Sequence, residues 1–278
     1  MFIEGIVSSY RMNTKDFRSR VYAYYNQQGR DLPWRHQPTL YRVCVSEFML
    51  QQTQVSRVIN YFRAFTQKYP SFKALHQASL TEILTAWQGL GYNRRAKYLW
   101  ETAHHIAAQP SGKQYTAEEL VKLPGIGRGT AGAIIAYAYD LPAVFIETNI
   151  RTVFIHHFFT NQPNVSDAAI LPLIEKTIDR NNPREWYWAL MDYGTYLKQQ
   201  GAHNRSSAHY SKQSKFKGSL RQVRGHILSY LLNMPTPVSM PHLCTALPYP
   251  KNNIQKALNH LVQEGLMSKN NKGQYCCV

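Results

Sequence analysis

The chain of 278 residues contains no apolar run approaching the roughly 20 residues that a membrane-spanning helix requires. Its start, Met1-Phe2-Ile3-Glu4-Gly5, lacks the basic region and long apolar segment of a secretory signal. Cysteines are few: Cys44, Cys244, Cys276 and Cys277 suit a reducing compartment better than a disulfide framework. No phosphate-cradling Walker loop and no dinucleotide fingerprint appears. Eleven histidines include the pairs His104-His105 and His156-His157, but no Cys or carboxylate stands at a metal-ligand spacing around them. Alternating strand-like runs are scarce. The expectation is a soluble cytoplasmic protein, mainly α, with no membrane partner and no resident metal.

Acidic residues are also scarce. Sixteen Asp and Glu face 32 Lys and Arg, a formal charge of +16. Such a field attracts polyanions and speeds their encounter without specifying a fold. Nucleic acid is the first partner it suggests. Aromatics at 13% fit that partner, because bases and sugar faces are held by stacking.

Apolar residues at three- and four-residue spacings dominate from Asp16 to about Leu197, broken at Pro and Gly clusters. The pattern predicts about ten short helices. From Lys198 to Arg224 seven Lys or Arg occur with no acidic residue, either a solvated linker or a segment that lies along phosphates. Three helices follow (Leu220 to Leu232, around Met240 to Ala246, Asn252 to Glu264), then an Asn-Asn-Lys-Gly turn between two strand-like pieces. That order looks like a winged helix. Winged helices bind duplex DNA with the third helix or serve as protein docking units.

Two segments carry chemistry. Leu123-Pro124-Gly125-Ile126-Gly127-Arg128-Gly129-Thr130-Ala131 reads as a Gly-rich hairpin between two helices, Ala117 to Lys122 and Thr130 to Tyr139. Glycines there let backbone N–H groups approach a phosphate, and the following helix presents its positive end. Gly125, Gly127, Arg128, Gly129 and Thr130 are therefore expected to hold the DNA backbone. Eighteen residues beyond Gly129 comes Glu147, after Ala143-Val144-Phe145-Ile146. The second segment is Val45-Ser46-Glu47-Phe48-Met49-Leu50-Gln51-Gln52-Thr53-Gln54-Val55, in which Glu47 and Gln51 share a helix face. A carboxylate among such apolar neighbours is partly desolvated, which suits a general acid.

Together with Leu32-Pro33-Trp34-Arg35 and Trp87-Gln88-Gly89-Leu90-Gly91-Tyr92, these strings resemble the adenine-removing mismatch branch (MutY-type) of the helix-hairpin-helix DNA glycosylases, over roughly Asp31 to Gly194. The resemblance implies two helical subdomains around a cleft, followed here by a small winged-helix-like α+β domain. With the basic stretch and the C-terminal helix pattern, the chain divides into a glycosylase domain at 1–200 (1–30 with 140–200 as one subdomain, 31–139 as the other), a basic linker at 201–218 and the winged-helix-like domain at 219–278. The resemblance assigns adenine protonation to Glu47, reading of the opposite oxidised guanine to Gln52, Thr53 and Tyr92 beside Gln51, and the pocket wall to Trp34 and Arg35. Asn149 matches an asparagine that orients the catalytic carboxylate. In the strand-cutting branch a lysine occupies the position of Gly129. Its absence implies removal of the base alone.

Three departures stand out. Glu147 replaces the family's aspartate, keeping the charge on a longer arm. Trp188 replaces a polar residue that contacts adenine, which bears on the identity of the excised base. The stretch after Met191-Asp192-Tyr193-Gly194 contains none of the four cysteines of the family's iron–sulfur cluster. A nudix-like guanine-checking domain is also missing, and the winged-helix-like segment stands in its place. The reading is a monomeric, cluster-less, monofunctional glycosylase in base excision repair, intracellular and nucleoid-associated, acting on mismatched duplex DNA. Its preferred target is adenine opposite 8-oxoguanine or guanine. Thymine, uracil or a deaminated purine on the same scaffold is the alternative, and a non-catalytic DNA-binding protein is the rival.

Overall fold

Helix starts in this chain are encoded in side chains. Ser79 and Thr116 accept from the backbone N–H three residues on, while Glu82 and Glu119 at those positions reach back to the cap, closing two capping boxes. Asn13, Ser71, Ser166, Ser219 and Ser239 cap five more helices in the single-sided way. The computed structural model describes residues 12–201, 206–210 and 215–278. The first eleven positions of the 1–200 domain, and parts of the 201–218 linker, lie outside the described residues.

The helices are α1 (Thr14–Gln28), α2 (Leu40–Leu50), α3 (Val55–Lys68), α4 (Phe72–Gln77), α5 (Leu80–Trp87), α6 (Arg94–Ala107), α7 (Ala117–Leu120), α8 (Arg128–Tyr139), α9 (Thr148–Phe158), α10 (Asp167–Thr177), α11 (Pro183–Gln200), α12 (Leu220–Leu232), α13 (Met240–Ala246) and α14 (Lys251–Gln263). A 3₁₀ turn covers Pro33–Arg35. Three short strands, β1 (Val238–Ser239), β2 (Met267–Lys269) and β3 (Gln274–Cys277), complete the described elements. None of the described helices is long and apolar enough to cross a membrane.

The chain forms two units. One comprises Met1–Leu40, Tyr115–Val121 and Ile126–Lys212. Its core is aromatic: the buried Phe17 ring meets Phe154, Phe158 and Trp186 at centroid distances of 5.2, 5.0 and 5.8 Å. Helices α9 and α11 pack most closely, because Gly194 offers no side chain; a Cβ there would lie 2.3 Å from the carbonyl oxygen of Asn149. Helix α8, which the sequence reading groups with 31–139, belongs to this unit. Arg184 of α11 donates to the Tyr137 carbonyl at 2.7 Å, and the Trp188 ring stacks on Tyr137.

The other unit comprises Tyr41–Gln114, Lys122–Gly125 and Gln213–Val278. Phe48, Met49, Phe62, Phe65, Trp87 and Leu99 are buried in it. Arg95 is buried with them and donates to the carbonyls of Phe48, Met49 and Gln51 at 2.6–2.8 Å. It thus satisfies oxygens that the end of α2 leaves without helical partners. Burial pushes its pKa down to about 10, so it stays charged at neutral pH.

The C-terminal helices and strands of this unit have the order and pairing of a winged helix. Strand order is β1-β3-β2, antiparallel throughout, with Val238 opposite Tyr275 and Met267 opposite Cys277. The turn between β2 and β3 closes through Asn270 and Gly273, at 2.9 Å. Helix α12 packs on α14 and also on α5, and Glu264 is clamped by Arg94 (2.7 Å) and Arg224. The winged helix is built onto the helices before it.

Candidate active site

The 3₁₀ turn places the buried Trp34 next to Arg35. The Arg35 guanidinium bridges both oxygens of Asp192 on α11 at 2.7 and 2.9 Å and also donates to the Arg30 carbonyl. Arg30 binds the same carboxylate at 2.6–2.8 Å through its side chain and backbone N–H. Burial pushes Asp192 up, but the hydrogen bonds and charge of Arg35, then Arg30, outweigh it and hold the carboxyl below the usual range. Arg35 lies over the Trp188 ring, 5.4 Å from its centroid. Trp188 is half-buried.

Glu147 is the N-cap residue of α9, half-buried, with no side-chain bond to its own helix. Burial pushes its carboxyl pKa up, while the positive charges of Lys198 and, less, Arg151 oppose that shift. Arg151 is itself committed to Asp167 through two bonds of 2.7 and 2.8 Å. Lys198 is therefore the cation that chiefly balances Glu147. It lies on one stripe of α11 with Met191 and Gly194, at i, i+3 and i+7. Asn149 contacts that stripe as well, its amide reaching the Met191 sulfur at 3.8 Å.

The hairpin differs in detail from the sequence reading. Helix α8 begins at Arg128 with Gly127 as its cap, so Gly129 and Thr130 lie within its first turn. Only Gly125 requires glycine's freedom there: its φ is +73°, and a Cβ would approach the Tyr98 ring to 2.5 Å. Gly127 and Arg128 are exposed, and the first-turn amides of α8 lack helical acceptors. At Gly129 a side chain would start 3.4 Å from the carbonyl oxygen of Ile146, the residue before Glu147.

In the other unit Glu47 sits half-buried on α2 between buried Ser46 and Phe48. Burial, with the Glu47 charge one turn away, pushes the Cys44 thiol up. Gln51 is not on the helix face but just beyond α2, where its N–H still reaches the Glu47 carbonyl at 3.2 Å. Gln51, Gln52, Thr53 and Tyr92 line one cavity of about 1040 Å³. Gln52 and Tyr92 both have left-handed backbones, with φ of 55° and 50°. Strain of this kind collects where side chains must be presented. Glu47 and Glu147 belong to different units.

Sequence reasoning missed Asp192, Lys198 and Arg95. Asp192 was visible as part of Met-Asp-x-Gly; the other two had no signal beyond a positive charge. Among the described residues no group of three or more His, Cys, Asp or Glu is placed to hold a metal ion. All four cysteines are free thiols of the unit that contains Glu47, with Cys44 buried.

Residues 45–175 match the family model described as HhH-GPD superfamily base excision DNA repair protein. The chain is similar to the adenine DNA glycosylase of Buchnera aphidicola subsp. Schizaphis graminum, at 34% identity over 65% of this chain and 54% of that protein. It thus spans about half the length of that relative. Similarity to the adenine DNA glycosylase of Mycolicibacterium smegmatis, at 31% identity, covers 91% of this chain and 93% of that one. Among solved structures, a thermostable thymine-DNA glycosylase matches with a TM-score of 0.57 and 26% identity, covering 65% of this chain and 85% of that one.

Proposed function

Because the chain belongs to the HhH-GPD superfamily of base excision DNA repair proteins, we propose that it is a monofunctional DNA glycosylase that removes adenine mispaired with 8-oxoguanine or guanine. The observation that carries this is the likeness to an adenine DNA glycosylase along nine tenths of the chain. Glu47 gives a proton to the departing adenine, which leaves with the electron pair of the C1′–N9 bond. Glu147 carries the negative charge that stabilises the sugar cation. Water adds to C1′, loses its proton and leaves an abasic site.

Trp34, Arg35 and Trp188 form an aromatic and cationic wall for the base, with Asn149 beside Glu147. Gly125, Gly127, Arg128, Gly129 and Thr130 hold phosphates. Gln51, Gln52, Thr53 and Tyr92 face the opposite base. The strand remains whole because position 129, where a Cβ would lie 3.4 Å from the Ile146 carbonyl oxygen, carries no amine. The enzyme acts as an intracellular monomer without a cluster.

The test is incubation with end-labelled duplexes holding adenine opposite 8-oxoguanine, guanine or cytosine, and thymine opposite guanine, followed by alkali. Alkali-dependent cleavage at adenine is expected, strongest opposite 8-oxoguanine. Cleavage at thymine alone would move the substrate to that base, in keeping with the solved thymine-DNA glycosylase. Cleavage without alkali would overturn the monofunctional assignment, and binding without an abasic product on any duplex would overturn the enzyme.

A further inference from the structure

The cavity lined by Gln52, Thr53 and Tyr92 has a wall supplied by the C-terminal helices. Five arginines and one carboxylate, Glu264, line it. Four of those arginines have clear structural duties. Arg94 and Arg224 clamp Glu264, Arg95 holds the end of α2, and Arg57 donates to the Gly89 carbonyl. Arg221, in the first turn of α12, behaves differently. It donates to the Tyr92 hydroxyl, and its guanidinium lies over the rings of Tyr92 (5.3 Å) and Phe216 (5.6 Å). Two rings thus fix the plane of a donor-only group inside a cavity wide enough for a nucleotide base.

We propose that Arg221, carried by the winged-helix-like domain, is a specificity-determining residue that recognises the base opposite the excised one by donating to the acceptor-rich edge of a guanine-type purine. This deepens the glycosylase reading and rests on it. A fixed guanidinium pairs well with the adjacent N7 and O6 acceptors of guanine, the arrangement behind the commonest arginine–guanine contact; in 8-oxoguanine N7 carries a proton, and O6 and O8 are the acceptors it can reach. Cytosine presents an amino donor there and is disfavoured. The left-handed backbones of Gln52 and Tyr92 hold their side chains at the same cavity, so Arg221 adds a cationic reader to a polar and an aromatic one. The winged helix then takes part in base discrimination through its first helix, in addition to whatever its third helix touches.

The experiment uses the full chain as wild type, Arg221→Ala, Arg221→Lys and Lys97→Ala. Single-turnover excision is measured for adenine opposite 8-oxoguanine, guanine and cytosine, with equilibrium binding to the same duplexes measured in parallel. Arg221→Ala is expected to reduce the preference for guanine-type over cytosine partners by about 10-fold or more, the scale of one bidentate base contact. Arg221→Lys keeps the charge but not the fork, and is expected to recover only part. Lys97→Ala removes the 2.8 Å bond from Lys97, outside the cavity, to the Glu264 carbonyl, and is expected to lower thermal stability while leaving the preference unchanged.

An unchanged preference in a folded Arg221→Ala protein would overturn the proposal and leave the glycosylase reading intact. An equal loss in Lys97→Ala would also overturn it, since the effect would then be loss of the packing around Glu264 rather than of a base contact. If wild type releases adenine from no duplex, the glycosylase reading fails on its own. The binding preference still tests Arg221 in that case: retention of guanine preference in Arg221→Ala overturns its role, and loss of that preference supports it.

Discussion

Glu147 shows how a single residue type becomes a tuned group only through its surroundings. Its carboxyl is pushed up by burial and drawn back by Lys198 and Arg151, and it must be ionised to stabilise a cation. Excision is therefore expected to fall on the acid side at a pH above the ordinary glutamate range. Glu147→Gln is expected to lower the single-turnover rate about 10²–10³-fold, with little change in binding. Lys198→Met removes the attraction that favours the ionised form, so the acid limb should move to higher pH. Lys198→Arg should restore it. A pH–rate profile identical in Lys198→Met and wild type would show that the two groups do not act together. Glu147 was legible from its distance past the hairpin. Lys198 was not, because its partner is 51 positions away in the chain and only the packing of α11 on α9 brings the two charges together.

Asp192 makes the complementary case, a carboxylate held below its usual range by two arginines. The sign follows from linkage: a depressed folded-state pKa adds stability above the ordinary aspartate range, and that stability is lost as pH falls through the depressed value. Asp192→Asn leaves two guanidinium groups without their counter-charge. Loss of one partner from a buried pair costs about 3–5 kcal/mol. Urea denaturation at neutral pH is expected to show a loss of that order. The variant's stability should also vary less with pH on the acid side than that of wild type. Equal stability of the two proteins at neutral pH would place the charges in water after all.

At the scale of elements the legible signal was apolar spacing broken at Pro and Gly clusters. Ser79 with Glu82, Thr116 with Glu119, and Ser219 and Ser239 before their helices mark starts that local chemistry dictates. The winged helix was legible for the same reason, since its turn needs Asn270 and Gly273 whatever the domain packs against. What local chemistry does not encode is which helix a helix meets. The position of α8 with α9 and α11, and the docking of α12 on α5, depend on contacts far apart in sequence. Gly194 tests this level. A methyl there would meet the Asn149 carbonyl at 2.3 Å and press α11 away from the start of α9, where Glu147 sits. Gly194→Ala is expected to cost about 1–3 kcal/mol in thermal unfolding, the range for overpacking a close contact. It should also slow excision more than it weakens DNA binding. Wild-type stability with an added methyl would mean that the helices have room to spare.

For the whole molecule the governing quantity is charge. An excess of 16 positive charges draws the protein to any duplex, and the contacts that follow are to phosphates, which carry no sequence. On the proposed reading, mismatch recognition is a separate contribution from Gln52, Thr53, Tyr92 and Arg221, whose partners would be bases. The two contributions separate by salt. If about six phosphates are neutralised, affinity should fall roughly 10³-fold between 50 and 200 mM salt, as a straight line of log affinity against log salt. The matched and mismatched duplexes should give parallel lines, because the phosphate contacts are common to both. Their vertical separation should survive at high salt, and Arg221→Ala should narrow it while changing the slope by no more than about one counterion. Lines that converge as salt rises would mean that discrimination is itself electrostatic, and a slope near zero would mean that the positive surface does not lie on DNA.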